Sequence, residues 1–482
     1  MINFKNDYST IAHPRILEAM VKYNDNTYVG YGLDTISDMA KVEIKKYISR
    51  DVDIYFLVGG TSANKTVISH SLRSYEAVIS VKTGHICVHE TGAIEATGHR
   101  IIEVEGVDGK MLPSSIETVI KTHTDEHMVL PKMVYITQAT ELGTLYTKEE
   151  LINIYNMCKK YNLYLFLDGA RLAVALDKSD ITLDDLANYT DVYYIGGTKN
   201  GAMLGEAVII SNEEIKKCFR FSIKQNGGMY AKGFVAGIQF YELFKDDLYF
   251  KLGEHSNKMA QTLAVCLINR GFTLAQEQVT NQIFVKVSNK LYEKLYDFVL
   301  FELWEDLGTS KVIRLVTNYS TTHEDIYSFC REIDKIISKK VKLETFLQEL
   351  SKHYEFEIGY NDSKLLLENI RKDSKYYEQV NDHFINLNFE ELFNLLTENN
   401  LKYEHYICYL IIKSGKTKDA FINKKESTLD ECIYWSDLYK YPFVFVEGID
   451  SENVSDLYFY SGCKSVNYEI FNNILKEHNF NK

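Results

Sequence analysis

The residues best placed to do chemistry in this chain are a lysine and an aspartate. Residues 191–201 read Asp-Val-Tyr-Tyr-Ile-Gly-Gly-Thr-Lys-Asn-Gly. The apolar run Val192 to Ile195 reads as a buried strand, ended by Gly196 and Gly197, and Lys199 follows. A lysine just past the carboxyl end of a parallel strand sits where open α/β sheets bind their ligands. Glycines beside it let a bulky ring approach the backbone. An amine so placed can form a Schiff base with an aldehyde. Taken alone, the stretch reads first as a solvated loop. What changes the reading is Tyr164-Leu165-Phe166-Leu167-Asp168-Gly169-Ala170-Arg171, a second apolar strand that delivers a carboxylate 31 positions before Lys199. That interval is the length of one helical crossover plus a strand.

A pyridoxal phosphate site needs both parts, a lysine for the aldehyde and an acid for the ring nitrogen. Other stretches supply the remainder. Gly59-Gly60-Thr61-Ser62 lies between a strand and a helix, where backbone N–H groups and a hydroxyl make a phosphate cradle; a tight turn with an ordinary helix cap is the alternative. His85 follows another strand and can stack on a ring or move protons. His89 and His99 compete with it, and His85 is preferred because it lies directly at the strand end. Asp168 and Arg171 could cap a helix and pair with each other. Three residues past its strand, Arg171 can instead turn its fork of donors on a substrate carboxylate. Arg314, inside Val312-Ile313-Arg314-Leu315-Val316, needs a partner if buried; a substrate carboxylate is one, and a solvent-facing edge strand would remove the need.

These residues require elements to position them. Strands are expected at Asp53–Val58, Ala77–Val81, Arg100–Glu105, Met133–Thr137, Leu163–Leu167, Val192–Ile195 and Ala207–Ser211. Helices are expected at His13–Asn24, Ser37–Ser49 and Ser62–Arg73, and another from the capping box Thr147-Lys148-Glu149-Glu150. Repeated βα units imply α/β architecture, a mostly parallel buried sheet between helices. A long helix over Phe234 to about Leu252 leads to strands at Gln282–Val287 and Val312–Thr317 and a helix over Glu324–Lys339. The divisions read as 1–245 (arm and large cofactor-binding domain), 246–340 (small α/β domain) and 341–482 (a mostly helical α+β domain). In the last, Leu343, Phe346, Leu347 and Leu350, and later Phe389, Leu392, Phe393 and Leu396, form amphipathic stripes. Tyr441–Glu447 reads as a strand.

The chain has 482 residues, 45% hydrophobic and 25% charged, with a net charge of −13. That length is too great for one core. The negative balance argues against a nucleic-acid surface. Residues 341–482 hold 16 Lys and Arg against 24 Asp and Glu, so they carry most of the imbalance while keeping enough apolar residues to fold. No run reaches transmembrane length. The eight cysteines show no metal spacing, so no metal is expected, and their scatter fits a reduced, cytoplasmic protein. The start Met-Ile-Asn-Phe-Lys-Asn-Asp lacks the apolar core of a signal peptide.

With those residues in hand, the chain resembles the low-specificity L-threonine aldolases of the β-eliminating lyase group, from residue 1 to about 340. The segments that carry the likeness are Leu167–Arg171, Gly60-Thr61-Ser62-Ala63-Asn64, Gly84-His85 with Glu90-Thr91-Gly92-Ala93, Gly227-Gly228-Met229 and Ile313–Thr317. The resemblance implies pyridoxal-phosphate fold type I, with a seven-stranded sheet, and pyridoxal 5'-phosphate as cofactor. It implies Lys199 as the Schiff-base lysine, Asp168 on the ring nitrogen, and His85 over the ring and near the β-hydroxyl. Gly60, Thr61 and Ser62 would hold phosphate, and Arg171 and Arg314 the amino acid's carboxylate. His127 falls near a family histidine that meets the substrate hydroxyl. Tyr31 looks like a residue offered to a neighbouring subunit, which implies a homodimer or homotetramer with shared sites.

Three departures stand out. The family's Ser-Asp-Thr is here Asn6-Asp7-Tyr8, which places Asn6 at a carboxylate contact. Its Glu-Asn-Thr-His is Gln138-Ala139-Thr140-Glu141, and Tyr230 replaces an arginine after Gly-Gly-Met. The implied reaction is cleavage of a threonine-like β-hydroxy-L-amino acid to glycine and an aldehyde. Another pyridoxal phosphate lyase working by β-elimination is the alternative. A third reading is an inert scaffold carrying the tail as a protein-binding module. Residues 341–482 lie outside the resemblance.

Overall fold

The computed structural model describes residues 1–337 and, beyond them, the backbone of short strands between 341 and 459. Seven strands form the main sheet: β2 (Asp53–Leu57), β3 (Glu76–Val81), β4 (Arg100–Val104), β5 (Leu130–Thr137), β6 (Tyr164–Asp168), β7 (Val192–Gly196) and β8 (Glu206–Ile210). A two-residue strand, β1 (Ile2–Asn3), precedes them. Their spatial order is β2-β8-β7-β6-β5-β3-β4. Only β8 runs against its neighbours; the other pairs are parallel. β3, β7 and β8 are buried along their whole length. That is why they read as unbroken apolar runs rather than as alternating strands. Two apolar cores form around the sheet: Ile79, Ile136, Leu167 and Ile195 belong to one, and Val78, Tyr135, Phe166 and Tyr194 to the other.

The parallel strands and β2 point their carboxyl ends at one edge. Gly59–Gly60, His85, Gln138, Asp168 and Lys199 all follow strand ends there. Because β8 runs the other way, its first residue, Glu206, joins the same edge opposite Gly196. β6 and β7 come close at their ends. A Cβ on Gly196 would lie 2.3 Å from the Ala170 carbonyl oxygen, and one on Gly169 would lie 2.0 Å from that of Tyr194. Glycine is therefore required at both positions.

The capping box at Thr147 is formed. Thr147 accepts from Glu150 N, the Glu150 side chain returns the bond, and the helix runs Lys148–Lys160. The long helix expected over Phe234 to Leu252 is interrupted. It ends at Phe244, and a second helix runs Leu248–Asn269. Asp246 and Asp247 between them take left-handed φ values of 59° and 60°, which aspartate tolerates better than most residues. Arg15 pairs with Asp246 at 3.2 Å, and the Tyr47 hydroxyl donates to Asp247.

The second sheet has the order β12 (Glu302–Asp306), β13 (Ser310–Val316), β10 (Gln282–Ser288), β9 (Thr273–Leu274). β13 is thus an interior strand, and the edge-strand alternative for Arg314 is excluded. The chain's first strand pairs with β11 (Val299–Leu300), so the N-terminal arm is tied to this second layer, and Phe4 is buried in its core. Among the described tail strands is Phe443–Glu447, within the expected 441–447; the helical stripes of the tail lie outside the described residues. Among the described residues no helix is long and apolar enough to cross a membrane.

Candidate active site

The turn that carries Lys199 is fixed by its neighbours. The Asn200 amide donates to the carbonyls of Gly196 (2.7 Å) and Ala170 (3.0 Å), which ties the turn to the end of β6. Glu206 accepts from Gly197 N (2.7 Å) and from the Thr198 hydroxyl (2.9 Å). Burial, followed by the like charge of Arg171, holds the Lys199 ammonium below its ordinary 10.5. A lowered value leaves more free amine to attack an aldehyde near neutrality. Glu206 moves the other way: burial raises it to about 7.

Asp168 is buried and surrounded by donors. The Tyr135 hydroxyl (2.5 Å) and the Asn64 amide (3.2 Å) meet Oδ2, while the Tyr194 hydroxyl (2.5 Å) and Ala170 N (2.9 Å) meet Oδ1. The Asn64 amide also donates to Glu90 Oε1 at 2.7 Å, and that oxygen is 2.8 Å from His85 Nδ1. A continuous hydrogen-bonded chain, His85–Glu90–Asn64–Asp168, therefore runs beneath the cleft. Burial draws the His85 imidazolium down, but the bond to Glu90 and the charges of Asp168 and Glu141 outweigh it and the net shift is upward. His89 lies against His85, ring centres 5.4 Å apart. His99 is remote from this group, bonded to the Leu72 carbonyl.

The helix Gly60–Ser71 begins without a side-chain cap. Its first-turn N–H groups are therefore free to meet an anion. Ser62 Oγ is buried there with no hydrogen-bond partner. Tyr230, which takes the arginine's position, donates to the Leu57 carbonyl at 3.2 Å. These observations fit a phosphate at the helix end, with Asp168 and Lys199 available to the ring and the aldehyde.

Two expectations need correction. Asn6 does not reach into the cleft: its Oδ1 accepts from Tyr8 N (3.1 Å) and Ser9 Oγ (2.7 Å), closing its own turn. The next residue, Asp7, enters instead and grips Arg171. His127 lies on an exposed loop before β5, its N–H bonded to Asp125. The site is at the other end of that strand, roughly 23 Å along it at the usual rise per residue. The structure thus brings together Lys199, Asp168, His85, Gly60, Thr61, Ser62, Arg171 and Arg314, and leaves Asn6, His127 and Tyr31 outside. Tyr31 is 44% exposed, with φ 66° and Lys224 over its ring. Arg314 is buried beside Trp304, 3.6 Å from Glu302, with its Nε unpartnered. Sequence reasoning gave no role to Asp7, Asn64, Glu90, Tyr135, Glu141, Tyr194 or Glu206. Asn64 and Glu90 stood inside motifs already singled out.

A lysine and an aspartate at neighbouring strand ends, beside an uncapped helix N-terminus, define an α/β enzyme of the aspartate aminotransferase fold, a class that works with pyridoxal 5'-phosphate. Thermus thermophilus aspartate aminotransferase matches with a TM-score of 0.54 at 14% identity, covering 70% of this chain and 92% of that one, a likeness of fold alone. The beta-eliminating lyase family pattern matches residues 3–290, and the chain belongs to that family. A threonine aldolase of Leishmania major is 43% identical, with a TM-score of 0.69, over 70% of this chain and 100% of that one. The low specificity L-threonine aldolase of Pseudomonas aeruginosa is 31% identical over 295 residues, 60% of this chain and 85% of its own length. That of Escherichia coli K12 is 25% identical over 332 residues, 68% of this chain and 96% of its own.

Proposed function

We propose that this chain is a pyridoxal-phosphate-dependent aldolase that cleaves threonine-like β-hydroxy-L-amino acids to glycine and an aldehyde. The observation that carries the reading is the convergence of Lys199, Asp168 and His85 at one sheet edge, in a chain 43% identical to a threonine aldolase over that protein's whole length. When bound, the cofactor supplies an aldehyde for the substrate's amine and a conjugated ring to accept the electron pair left at Cα.

The chain's own residues do the remainder. Asp168 would hold the ring nitrogen's proton, kept in place by two phenols and an amide. Ser62 and the N–H groups of Gly60, Thr61 and Ser62 would hold phosphate. Arg314, with its unpartnered Nε, and Arg171, whose Nη1 donates to no described residue, would orient the substrate carboxylate and so select which Cα bond breaks. His85 would cover the ring and face the β-hydroxyl. Lys199 would return a proton at Cα.

A homo-oligomer with shared sites, Tyr31 being offered to a neighbouring copy, completes the proposal together with a cytoplasmic location and the division at 245 and 340. The test is aldehyde release from L-threonine and L-allo-threonine by purified protein supplied with pyridoxal phosphate, beside Lys199→Ala. Aldehyde from wild type and none from Lys199→Ala supports the reading. Turnover in Lys199→Ala overturns it, and ammonia release from L-serine without aldehyde from threonine would favour β-elimination.

A further inference from the structure

Glu141 has no role in the mechanism above, yet its charge reaches the cations of the site. It sits on the turn Thr140–Thr144 that follows β5. Thr140 N donates to the Thr144 carbonyl (3.0 Å) and Gly143 N to that of Thr140 (2.9 Å). The turn is pinned from outside as well. The Thr144 hydroxyl donates to the Asp108 carbonyl (2.6 Å), the Thr280 hydroxyl to that of Gly143 (3.1 Å), and the Gln276 amide to that of Leu142. Contacts from both sheet layers therefore fix the backbone that carries this carboxylate.

Glu141 is 7% exposed as a residue. It forms no hydrogen bond or ion pair with any described residue. Its charge nevertheless acts on His85, His89, Arg171, Lys199 and Arg314, so it faces the cleft that these cations line. A carboxylate that takes no donor from the protein is free to accept one from the substrate.

The other carboxylates near the site each hold protein donors, although Glu90 Oε2 is buried without one. Asp7 holds Arg171 and accepts from Asn281. Asp168 has four donors, and Glu90 Oε1 has two. His85 is a weak candidate for taking a proton, because its surroundings favour the imidazolium and its Nδ1 is committed to Glu90.

Resting on the aldolase reading, we propose that Glu141 is the catalytic residue that accepts the hydrogen bond of the substrate β-hydroxyl and takes its proton as the Cα–Cβ bond breaks. The hydroxyl proton passes to a Glu141 oxygen. The O–H electron pair becomes the second bond of the aldehyde carbonyl, and the Cα–Cβ pair stays with the glycine half. One proton delivered to Cα and the proton released from Glu141 balance, so the reaction is proton-neutral.

The test uses full-chain protein loaded with cofactor, as wild type, Glu141→Gln and Glu141→Asp. Three quantities are measured: kcat for aldehyde release, the affinity for glycine read by absorbance, and the affinity for L-serine relative to L-alanine. Glycine lacks the β-hydroxyl, so its affinity reports a folded, loaded site. Glu141→Gln should lose at least about 100-fold in kcat. Its glycine affinity should stay within about threefold of wild type while its preference for L-serine over L-alanine falls. Glu141→Asp, which keeps a carboxylate, should retain at least about tenfold more turnover than Glu141→Gln. A Glu141→Gln kcat close to wild type, a parallel loss of glycine affinity, or equal turnover in the two variants would each overturn the assignment. Should Glu141→Gln not fold, Glu141→Ala takes its place: lower kcat at unchanged glycine affinity supports the assignment, and unchanged kcat overturns it. A wild type that binds glycine but releases no aldehyde overturns the aldolase reading itself, which separates the two failures.

Discussion

Arg171 and Asp7, 164 positions apart, form a buried bidentate ion pair: Nε to Oδ2 at 2.7 Å and Nη2 to Oδ1 at 3.2 Å. The N-terminal arm thus reaches the floor of the cleft and occupies half of the arginine's fork. Any substrate carboxylate must share Arg171 with this internal one, or rely chiefly on Arg314.

Removing that partner should be costly. Burial alone would raise Asp7, but Arg171 and Lys199 more than offset it, and its carboxyl lies below the ordinary 3.8. A lowered carboxyl contributes stability that is present above the unfolded value and is lost as pH falls through the folded one. Asp7→Asn should therefore lose on the order of 3 kcal/mol of stability at neutral pH, the scale for breaking a buried pair. The gap from wild type should close below about pH 3.8. Denaturant unfolding at several pH values checks this, and a gap independent of pH would refute it.

The two phenols on Asp168 give a second expectation. Tyr135 and Tyr194 each donate to it at 2.5 Å. A Cβ on Gly60 would lie 3.1 Å from the Tyr194 hydroxyl, so Tyr194 also backs the phosphate loop. A hydrogen bond to a charged group contributes about 1.5–3 kcal/mol. Tyr194→Phe should weaken cofactor affinity by about tenfold or more and Tyr135→Phe should do so less, because each leaves one donor on its oxygen but only Tyr194 also backs the phosphate loop. Equilibrium dialysis against pyridoxal phosphate measures both, and equal affinities in all three proteins would contradict the assignment.

A third expectation concerns the bond between His85 and Glu90. Burial draws His85 down, and Glu90 is the first influence that opposes it. Glu90→Gln should lower the His85 titration midpoint, because an amide cannot offer the same negative charge. Histidine ring resonances followed by NMR against pH would show it. A midpoint unchanged in Glu90→Gln would mean that Asp168 and Glu141 alone set the charge state of His85.

Much of this was legible in the chain. The sheet's parallel strands are buried on both faces, so apolar runs such as Val192–Ile195 mark them and the residue after each run marks the site edge. Asp7 was not legible as Arg171's partner, because that pairing depends on how the arm joins β11 in the second layer. Glu141 stood out only as a departure from the family's Glu-Asn-Thr-His, since nothing local says that its turn is pinned from both sheet layers. The break at 245–247 was hidden for a different reason. Helical spacing continues through it, and aspartates accept left-handed φ without the glycine that would announce a stop.

Glu206 yields the last expectation, and its sign is opposite to that of Asp7. Its carboxylate supports the Lys199 turn through Gly197 N and the Thr198 hydroxyl, but burial raises it from 4.5 to about 7. The native state therefore holds a proton between those values that the unfolded chain has already released. Stability should fall as pH rises from about 4.5 through about 7 and level off above. Over that window the loss is on the order of 3 kcal/mol. Glu206→Gln carries no titrating group there and can keep both contacts, its amide oxygen accepting from Gly197 N and its NH2 donating to Thr198. The variant should match wild type near pH 5 and exceed it near pH 8, in cofactor-free protein followed by denaturant unfolding. The opposite ranking at pH 8 would show that the ionised carboxylate strengthens the turn by more than its burial costs.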